Sequence, residues 1–134
     1  MNSKILDTMI DKAYEVLEHA YAPYSHFTVG CCLRTEDGQL FAGCNIENVT
    51  YSLTLHAEAV ALGNLISAGH KRIAEIVVVT KRVEVCTPCG ACRQQFAEFT
   101  SPNTKIILCS NREVKHVVTM AELLPLPFSF EKQE

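Results

Sequence analysis

Hydrophobic residues recur at three- and four-residue steps near the N-terminus. They are Ile5, Leu6, Met9, Ile10, Ala13, Val16, Leu17 and Ala20. This spacing predicts an amphipathic helix over residues 3–20 that packs by one face. Two apolar-rich runs follow, over residues 27–33 and 40–46. The Asp37-Gly38 pair between them predicts that these runs form a β-hairpin.

The second half of the chain alternates helical and extended patterns. Residues 55–68 are apolar on almost all sides and predict a buried helix that ends before Gly69. The β-branched run within residues 73–80 is typical of a central strand covered on both faces. A third helix is predicted over residues 89–99, and two strands over residues 105–109 and 114–118. Too few residues separate these last two strands for a parallel crossover, so we expect them to be antiparallel.

The order of these elements defines the expected fold. Helix, two strands, helix, strand, helix and two strands predict a three-layer α/β/α sandwich around a mixed sheet of about five strands. The 134 residues fit a single domain over residues 1–134, with no room for a second core.

Composition and charge narrow the possible partners. The chain is 48% hydrophobic and 20% charged, with a formal net charge of −3, which is typical of a soluble globular protein. The basic pairs Lys71-Arg72 and Lys81-Arg82 are small and separated, and we interpret them as solvated. A nucleic-acid partner is therefore not expected, because phosphate binding needs a concentrated basic surface. The sequence shows neither a membrane-spanning apolar run nor a signal-peptide core, so no membrane partner is expected.

Cysteine usage favours a reducing, cytoplasmic location. The seven cysteines are Cys31, Cys32, Cys44, Cys86, Cys89, Cys92 and Cys109. An odd number without a signal sequence is typical of metal-bound thiols and of thiols buried as small apolar groups. The adjacent Cys31 and Cys32 are expected to point to opposite faces of one strand.

Candidate chemistry is concentrated in two short segments, His56-Ala57-Glu58 and Pro88-Cys89-Gly90-Ala91-Cys92. His56, Cys89 and Cys92 supply three nitrogen and sulfur ligands, and three such ligands leave one position of a tetrahedral zinc ion open, as in catalytic sites. Cys89 and Cys92 are expected on one face of the first turn of a helix, where the helix dipole stabilises thiolates. Glu58 stays free for proton transfer.

Two other interpretations of these cysteines remain open at this point. A redox dithiol would account for the two cysteines, but for neither Pro88 nor the His-Ala-Glu segment. A structural zinc site is the stronger alternative, because Cys86 could act with His56, Cys89 and Cys92 as a closed set of four ligands.

A resemblance to a known family extends over nearly the whole chain. The pattern His-x-Glu followed by Pro-Cys-x-x-Cys is the signature of zinc-dependent nucleobase deaminases. Residues 20–30, 43–48, 88–94 and 122–125 also resemble cytidine deaminases, in the same order and with similar gaps. The length resembles the short, homotetrameric class. That class usually has cysteine at the position of His56, and a His-Cys-Cys set leaves the zinc site neutral where three thiolates would leave it anionic.

The resemblance implies a role for each site residue. One zinc ion per chain would be bound by His56, Cys89 and Cys92, with Glu58 as the catalytic acid and base. The residues implied to contact the nucleoside are Phe27 (base stacking), Asn45 and Glu47 (the ribose 3′-hydroxyl), the Ala57 N–H (base O2), the Thr87 carbonyl (the departing amino group), Tyr51 (close to the sugar at a subunit interface) and Phe128 (the neighbouring subunit's site).

The function implied is hydrolytic deamination of cytidine and deoxycytidine in pyrimidine salvage, by a cytoplasmic homotetramer. Two alternatives remain. The first is a deaminase of a modified cytosine nucleoside, such as an aminoacyl-nucleoside antibiotic. The second is a zinc-stabilised binding protein without catalysis.

Overall fold

The computed structural model describes residues 2–130 of the chain. The domain expected over residues 1–134 also includes residue 1 and residues 131–134, which lie outside the described residues. Within residues 2–130, no helix combines the length and the apolar character needed to cross a membrane. The elements are α1 (Ser3–Leu17), β1 (Val29–Arg34), β2 (Leu40–Cys44), a 3-10 turn (Tyr51–Leu53), α2 (Ala57–Ser67), β3 (Glu75–Thr80), α3 (Gly90–Ala97), β4 (Lys105–Ser110), β5 (Glu113–Thr119) and α4 (Met120–Leu123).

The five strands form one mixed sheet in the order β2-β1-β3-β4-β5. Strand β3 lies at the centre, antiparallel to β1 and parallel to β4. The β1–β2 hairpin and the antiparallel pairing of β4 with β5 are both confirmed. Gly38 has φ +91, a left-handed conformation that glycine adopts at no steric cost, which is why the turn can reverse the chain there.

Helices cover both faces of the sheet, so the predicted three-layer α/β/α architecture is confirmed. Helix α1 packs on one face and buries Met9, Ala13 and Leu17 there. Helices α2, α3 and α4 pack on the other face. Cys31 packs in the core on the α2 side of the sheet and Cys32 in the core on the α1 side, as expected for neighbours in one strand.

Two glycines set how closely the helices approach the sheet. A Cβ added at Gly30 would lie 2.2 Å from the carbonyl oxygen of Ala13 in α1. A Cβ added at Gly43 would lie 2.3 Å from the backbone nitrogen of Ala61 in α2. Both strands of the hairpin therefore accept a helix in direct backbone contact, one on each face.

Several features differ from the expectations. Helix α1 ends at Leu17 rather than at residue 20. Helix α2 begins at Ala57 rather than at residue 55, because Leu55 forms a two-way backbone pair with Ile46. The same helix was expected to be buried, but only its inner side is, and its outer side is exposed, with Ile66 at 39%. Helix α4, which the hydrophobic pattern did not predict, is stabilised by a capping box between Thr119 and Glu122.

Candidate active site

Helices α2 and α3 begin close together, and the three predicted zinc ligands lie at these two helix starts. His56 is the N-cap of α2 and Cys89 is the N-cap of α3, and neither side chain caps its own helix. Cys92 lies in the first turn of α3. The Nδ1 atom of His56 is 3.3 Å from the Sγ atoms of both Cys89 and Cys92. These side chains are therefore directed at one another and away from their own helices.

The chemistry and spacing of this group fit zinc. The three ligand atoms all lie within 4.8 Å of one another. A tetrahedral zinc ion with ordinary bond lengths would separate a nitrogen and a sulfur ligand by on the order of 3.5 Å. One imidazole and two thiols are a donor set that zinc favours over magnesium or calcium. The ion would also remove the high cost of ionising Cys92, whose pKa is raised chiefly by burial and then by Glu58.

Cys86 is not a member of the three-donor group found among the described residues. Its thiol lies in the wall of the neighbouring cleft, where burial and the nearby Glu58 raise its pKa to about 11. The arrangement around His56, Cys89 and Cys92 therefore has the three-ligand count of a catalytic zinc site rather than the four-ligand count of a structural one.

Arg93 stabilises the start of α3, a role that was not predicted, because Arg93 was noted only as part of the segment 88–94 that resembles a known family. Arg93 donates from Nε to the carbonyl oxygen of Pro88 at 2.7 Å and from Nη1 to that of Leu123 at 2.8 Å. Pro88 itself directly precedes the N-cap, Cys89. Arg93 thus connects the segment carrying Cys89 to the C-terminal part of the domain.

Glu58 lies in the first turn of α2, beside the three-donor group. It is 4% exposed and lines the cleft. Burial raises the pKa of its carboxyl group, while its own backbone N–H, His56 and Cys92 act in the opposite direction. A carboxyl group in the wall of the cleft and beside the three-donor group is placed for general acid–base chemistry.

The cleft next to this group has a volume of about 250 Å³. Its walls are formed by Ser25, Phe27, Val29, Asn45, Glu47, Thr54, His56, Ala57, Glu58, Cys86, Thr87 and Cys89. Five of the seven residues predicted to contact substrate are therefore brought together here. Tyr51 lies in an adjoining cavity that shares Ser25, Glu47 and Thr54 with the cleft. Phe128 lines neither cavity.

The far wall of the cleft is built by short backbone pairings outside the main sheet. Tyr21 pairs with Ile46, and Ile46 pairs in turn with Leu55. These pairings place the segment that follows β2 between the turn before β1 and the entry to α2. Asn45, at the end of β2, accepts at Oδ1 from the Val29 N–H at 3.0 Å and donates from Nδ2 to the Phe27 carbonyl at 2.8 Å.

The two outlying residues are both strongly exposed. Tyr51 is 75% exposed and contacts the ring of Tyr24 edge-on at 6.1 Å. Phe128 is 72% exposed, and its backbone makes two hydrogen bonds with the side chain of Gln94, at 2.9 and 3.2 Å. Within one chain, Phe128 therefore has a defined backbone position and an exposed side chain that does not line the cleft and contacts the ring of Phe130 edge-on.

One contact adds to the expectation about surface charge. Arg82 was interpreted as a solvated residue, and it is exposed, with its guanidinium group over the ring of Phe27, 4.4 Å from the ring centre. Arg82 is not among the residues that line the cleft. Nothing in the local sequence predicts this contact. It joins the segment before β1 to the segment after β3, which the pairing of Val29 with Thr80 brings together.

A mixed α/β sheet with a His-Cys-Cys group at two helix N-termini, and a buried carboxylate beside it, defines a zinc-dependent hydrolase of the deaminase type. The family described as "Cytidine and deoxycytidylate deaminase zinc-binding region" matches residues 3–109, and the chain belongs to this family. Together with the three-donor group, this membership assigns one zinc ion per chain.

Individual relatives agree with this assignment over most of the chain. The cytidine deaminase of Halalkalibacterium halodurans is 41% identical over 123 residues, which cover 92% of this chain and 93% of the relative. The crystal structure of cytidine deaminase from Burkholderia pseudomallei superposes with a TM-score of 0.84 at 40% identity, covering 90% of this chain and 97% of that one. Blasticidin-S deaminase from Bacillus cereus is more distant, with 29% identity over 129 residues and coverage of 90% of each chain.

Proposed function

We propose that this protein is a zinc-dependent cytidine deaminase, which hydrolyses cytidine and deoxycytidine to the uracil nucleosides and ammonia. The observation that carries the proposal is the cleft itself. His56 and Cys89 of the three-donor group, the buried Glu58, and the polar side chains of Asn45 and Glu47 all line it. A single catalytic domain performs the reaction.

The chemical step needs a nucleophile and a proton carrier. Zinc, when bound by His56, Cys89 and Cys92, supplies a Lewis acid that makes water a nucleophile near neutral pH. The Glu58 carboxylate takes the proton of that water and delivers it to N3 of the pyrimidine, which makes C4 more electrophilic. The same carboxylate later transfers a proton to the departing amino group. Burial of Glu58 suits both directions of transfer.

The remaining cleft residues bind the nucleoside. Phe27 stacks on the pyrimidine, and the N–H of Ala57, in the first turn of α2 where no intrahelical acceptor is available, donates to base O2. The carbonyl of Thr87 accepts from the amino group that leaves. Asn45 and Glu47 bind the ribose 3′-hydroxyl. The Asn45 amide can donate to the hydroxyl oxygen, and the Glu47 carboxylate can accept the hydroxyl proton.

The active form is a homo-oligomer, which we propose to be a tetramer. Exposed apolar side chains support this, because Val49, Tyr51 and Leu53 are between 62% and 75% exposed beside the cleft. Phe128 reaches a neighbouring chain's site, which accounts for its exposure in one chain. We also propose a cytoplasmic location and a role in pyrimidine salvage, and neither a nucleic acid nor a membrane as partner.

Ammonia release from cytidine, measured on purified zinc-loaded protein, tests the function. We expect turnover of cytidine and deoxycytidine, and its loss on zinc chelation. Deamination of an aminoacyl-nucleoside antibiotic with no turnover of cytidine would favour the modified-nucleoside alternative. Stoichiometric zinc without any deamination would favour a zinc-stabilised binding protein.

A further inference from the structure

The carboxylate of Glu47 is oriented by the turn between α1 and β1. Its Oε1 atom accepts from the backbone N–H groups of Tyr24 and Ser25, at 2.9 and 3.1 Å. Its Oε2 atom accepts from the hydroxyl of Ser25. An ionised carboxylate has about four acceptor positions, so these three bonds leave about one, on Oε2, for a ligand in the cleft.

The Ser25 hydroxyl is the only side chain among the described residues that makes a hydrogen bond to Glu47. The same oxygen also accepts from the N–H of Phe27, at 3.0 Å. The N–H of Phe27 uses only a lone pair of the hydroxyl, and an ionised carboxylate can only accept, so the hydroxyl donates its proton to Glu47. This bond is the largest influence that lowers the pKa of Glu47, so the carboxylate remains an acceptor.

The backbone around Ser25 is fitted to this arrangement. His26 has φ +58, a left-handed conformation that a side chain rarely adopts. Its N–H donates to the carbonyl oxygen of Ala22 at 2.9 Å, which closes the turn. A conformation of this kind persists when the surrounding bonds determine it, and the Ser25 hydroxyl supplies one such bond, which spans His26 by accepting from the Phe27 N–H.

We propose that Ser25 is a positioning residue for sugar recognition, whose hydroxyl orients the Glu47 carboxylate toward the ribose 3′-hydroxyl. This role rests on the proposed function. It acts through Glu47 more than through Phe27, because the backbone of Phe27 has an independent bond from Asn45 at 2.8 Å. The role therefore concerns binding of the sugar and leaves Glu58 and the zinc ligands untouched.

The test compares Ser25→Thr with Ser25→Val, two variants of the same shape that differ in the hydroxyl, and also Ser25→Ala. Steady-state kinetics are measured with cytidine and with 3′-deoxycytidine. A hydrogen bond to a charged group contributes on the order of a tenfold change in affinity. We expect Ser25→Val and Ser25→Ala to raise KM for cytidine about tenfold, with kcat changed less than about twofold. Ser25→Thr should stay near the parent.

The 3′-deoxy substrate separates positioning from a general loosening of the turn. It lacks the hydroxyl that Glu47 binds, so its KM should change less than about twofold in every Ser25 variant. Ser52→Ala is the control, because this exposed hydroxyl lies on the same surface and makes no hydrogen bond to the described residues. Melting temperature and zinc content of each variant are measured alongside.

Each outcome decides the proposal. Equal KM values for the Thr and Val variants would overturn it, and so would an equal rise of KM for both substrates. A parent protein that releases no ammonia from cytidine would overturn the proposed function, and this role with it. An active parent whose KM for cytidine is insensitive to the loss of the hydroxyl would overturn the role alone.

Discussion

Gly43 sets how closely β2 approaches α2. It lies one residue before the end of β2, directly against α2, and Asn45 follows within two residues. His56 and Glu58 lie at the start of α2. A change in the separation of β2 and α2 at Gly43 should therefore move Asn45 relative to His56 and Glu58.

Gly43→Ala perturbs this separation by a calculable amount. The added Cβ would lie 2.3 Å from the Ala61 nitrogen and 2.8 Å from the Ala57 carbonyl oxygen, both backbone atoms. Reaching even a tight contact of 3.0 Å requires a shift of about 0.7 Å. Overpacking of this kind costs typically about 1–3 kcal/mol, and a rigid backbone neighbour favours the upper end. With an unfolding entropy of about 0.28 kcal/mol/K for this chain length, about 3 kcal/mol lowers Tm by roughly 10 °C.

The assay combines thermal unfolding, zinc content and cytidine turnover. We expect Gly43→Ala to melt about 10 °C lower and, since a misplacement near 1 Å can cost about 10²-fold, to lose one to two orders of magnitude in kcat/KM. Gly63→Ala is the matched control on the same helix, because nothing lies within 4 Å of its added Cβ. It should be more stable by about 0.5–1 kcal/mol. A Gly43→Ala protein with the melting temperature and kinetics of the parent would refute the reasoning.

Three further predictions concern the metal, the proton carrier and the neighbouring chain. Cys89→Ser should lose zinc, while Cys86→Ser should retain one zinc per chain by metal analysis, and comparable losses would favour a four-ligand structural site. Glu58→Gln should keep zinc and fold but lose about 10²–10⁴-fold in turnover, and near-normal deamination would contradict its role. Phe128→Ala should lower kcat/KM without changing the melting temperature of the protein. Dilution to monomers should abolish activity at concentrations where the secondary structure is still intact. A monomer that is fully active in ultracentrifugation would argue against active sites shared between chains.

Local patterns predicted the regular parts of this fold well, since their causes are local. The Asp37-Gly38 turn and the β-branched run before residue 80 each gave the correct strand pairing and position. The pattern failed where tertiary contacts compete with it. Leu55 was predicted to be helical because it belongs to an apolar run, but its backbone pairs with that of Ile46. This pairing gives hydrogen-bond partners to backbone N–H and C=O groups of the segment after β2.

The candidate site was predicted unevenly for the same reason. Cys89 and Cys92 are three residues apart, and this local spacing predicts that both lie at the start of a helix. The position of the His56 Nδ1 atom, 3.3 Å from both sulfur atoms, depends on the tertiary structure. The exposure of Arg82 was predicted, but its contact with Phe27 was not, because that contact depends on how the start of β1 meets the end of β3.

The sequence by itself determined which residues could carry the chemistry and on which elements they lie. His56 and Cys89 precede helices because of the local pattern around them, and local patterns are encoded over a few residues. Only the tertiary structure decided that these two helix ends face each other, that β2 meets α2 in backbone contact at Gly43, and that Ser25 reaches Glu47. These relations join segments separated by many residues, and they arise from packing and hydrogen bonding across the fold, which no local spacing specifies.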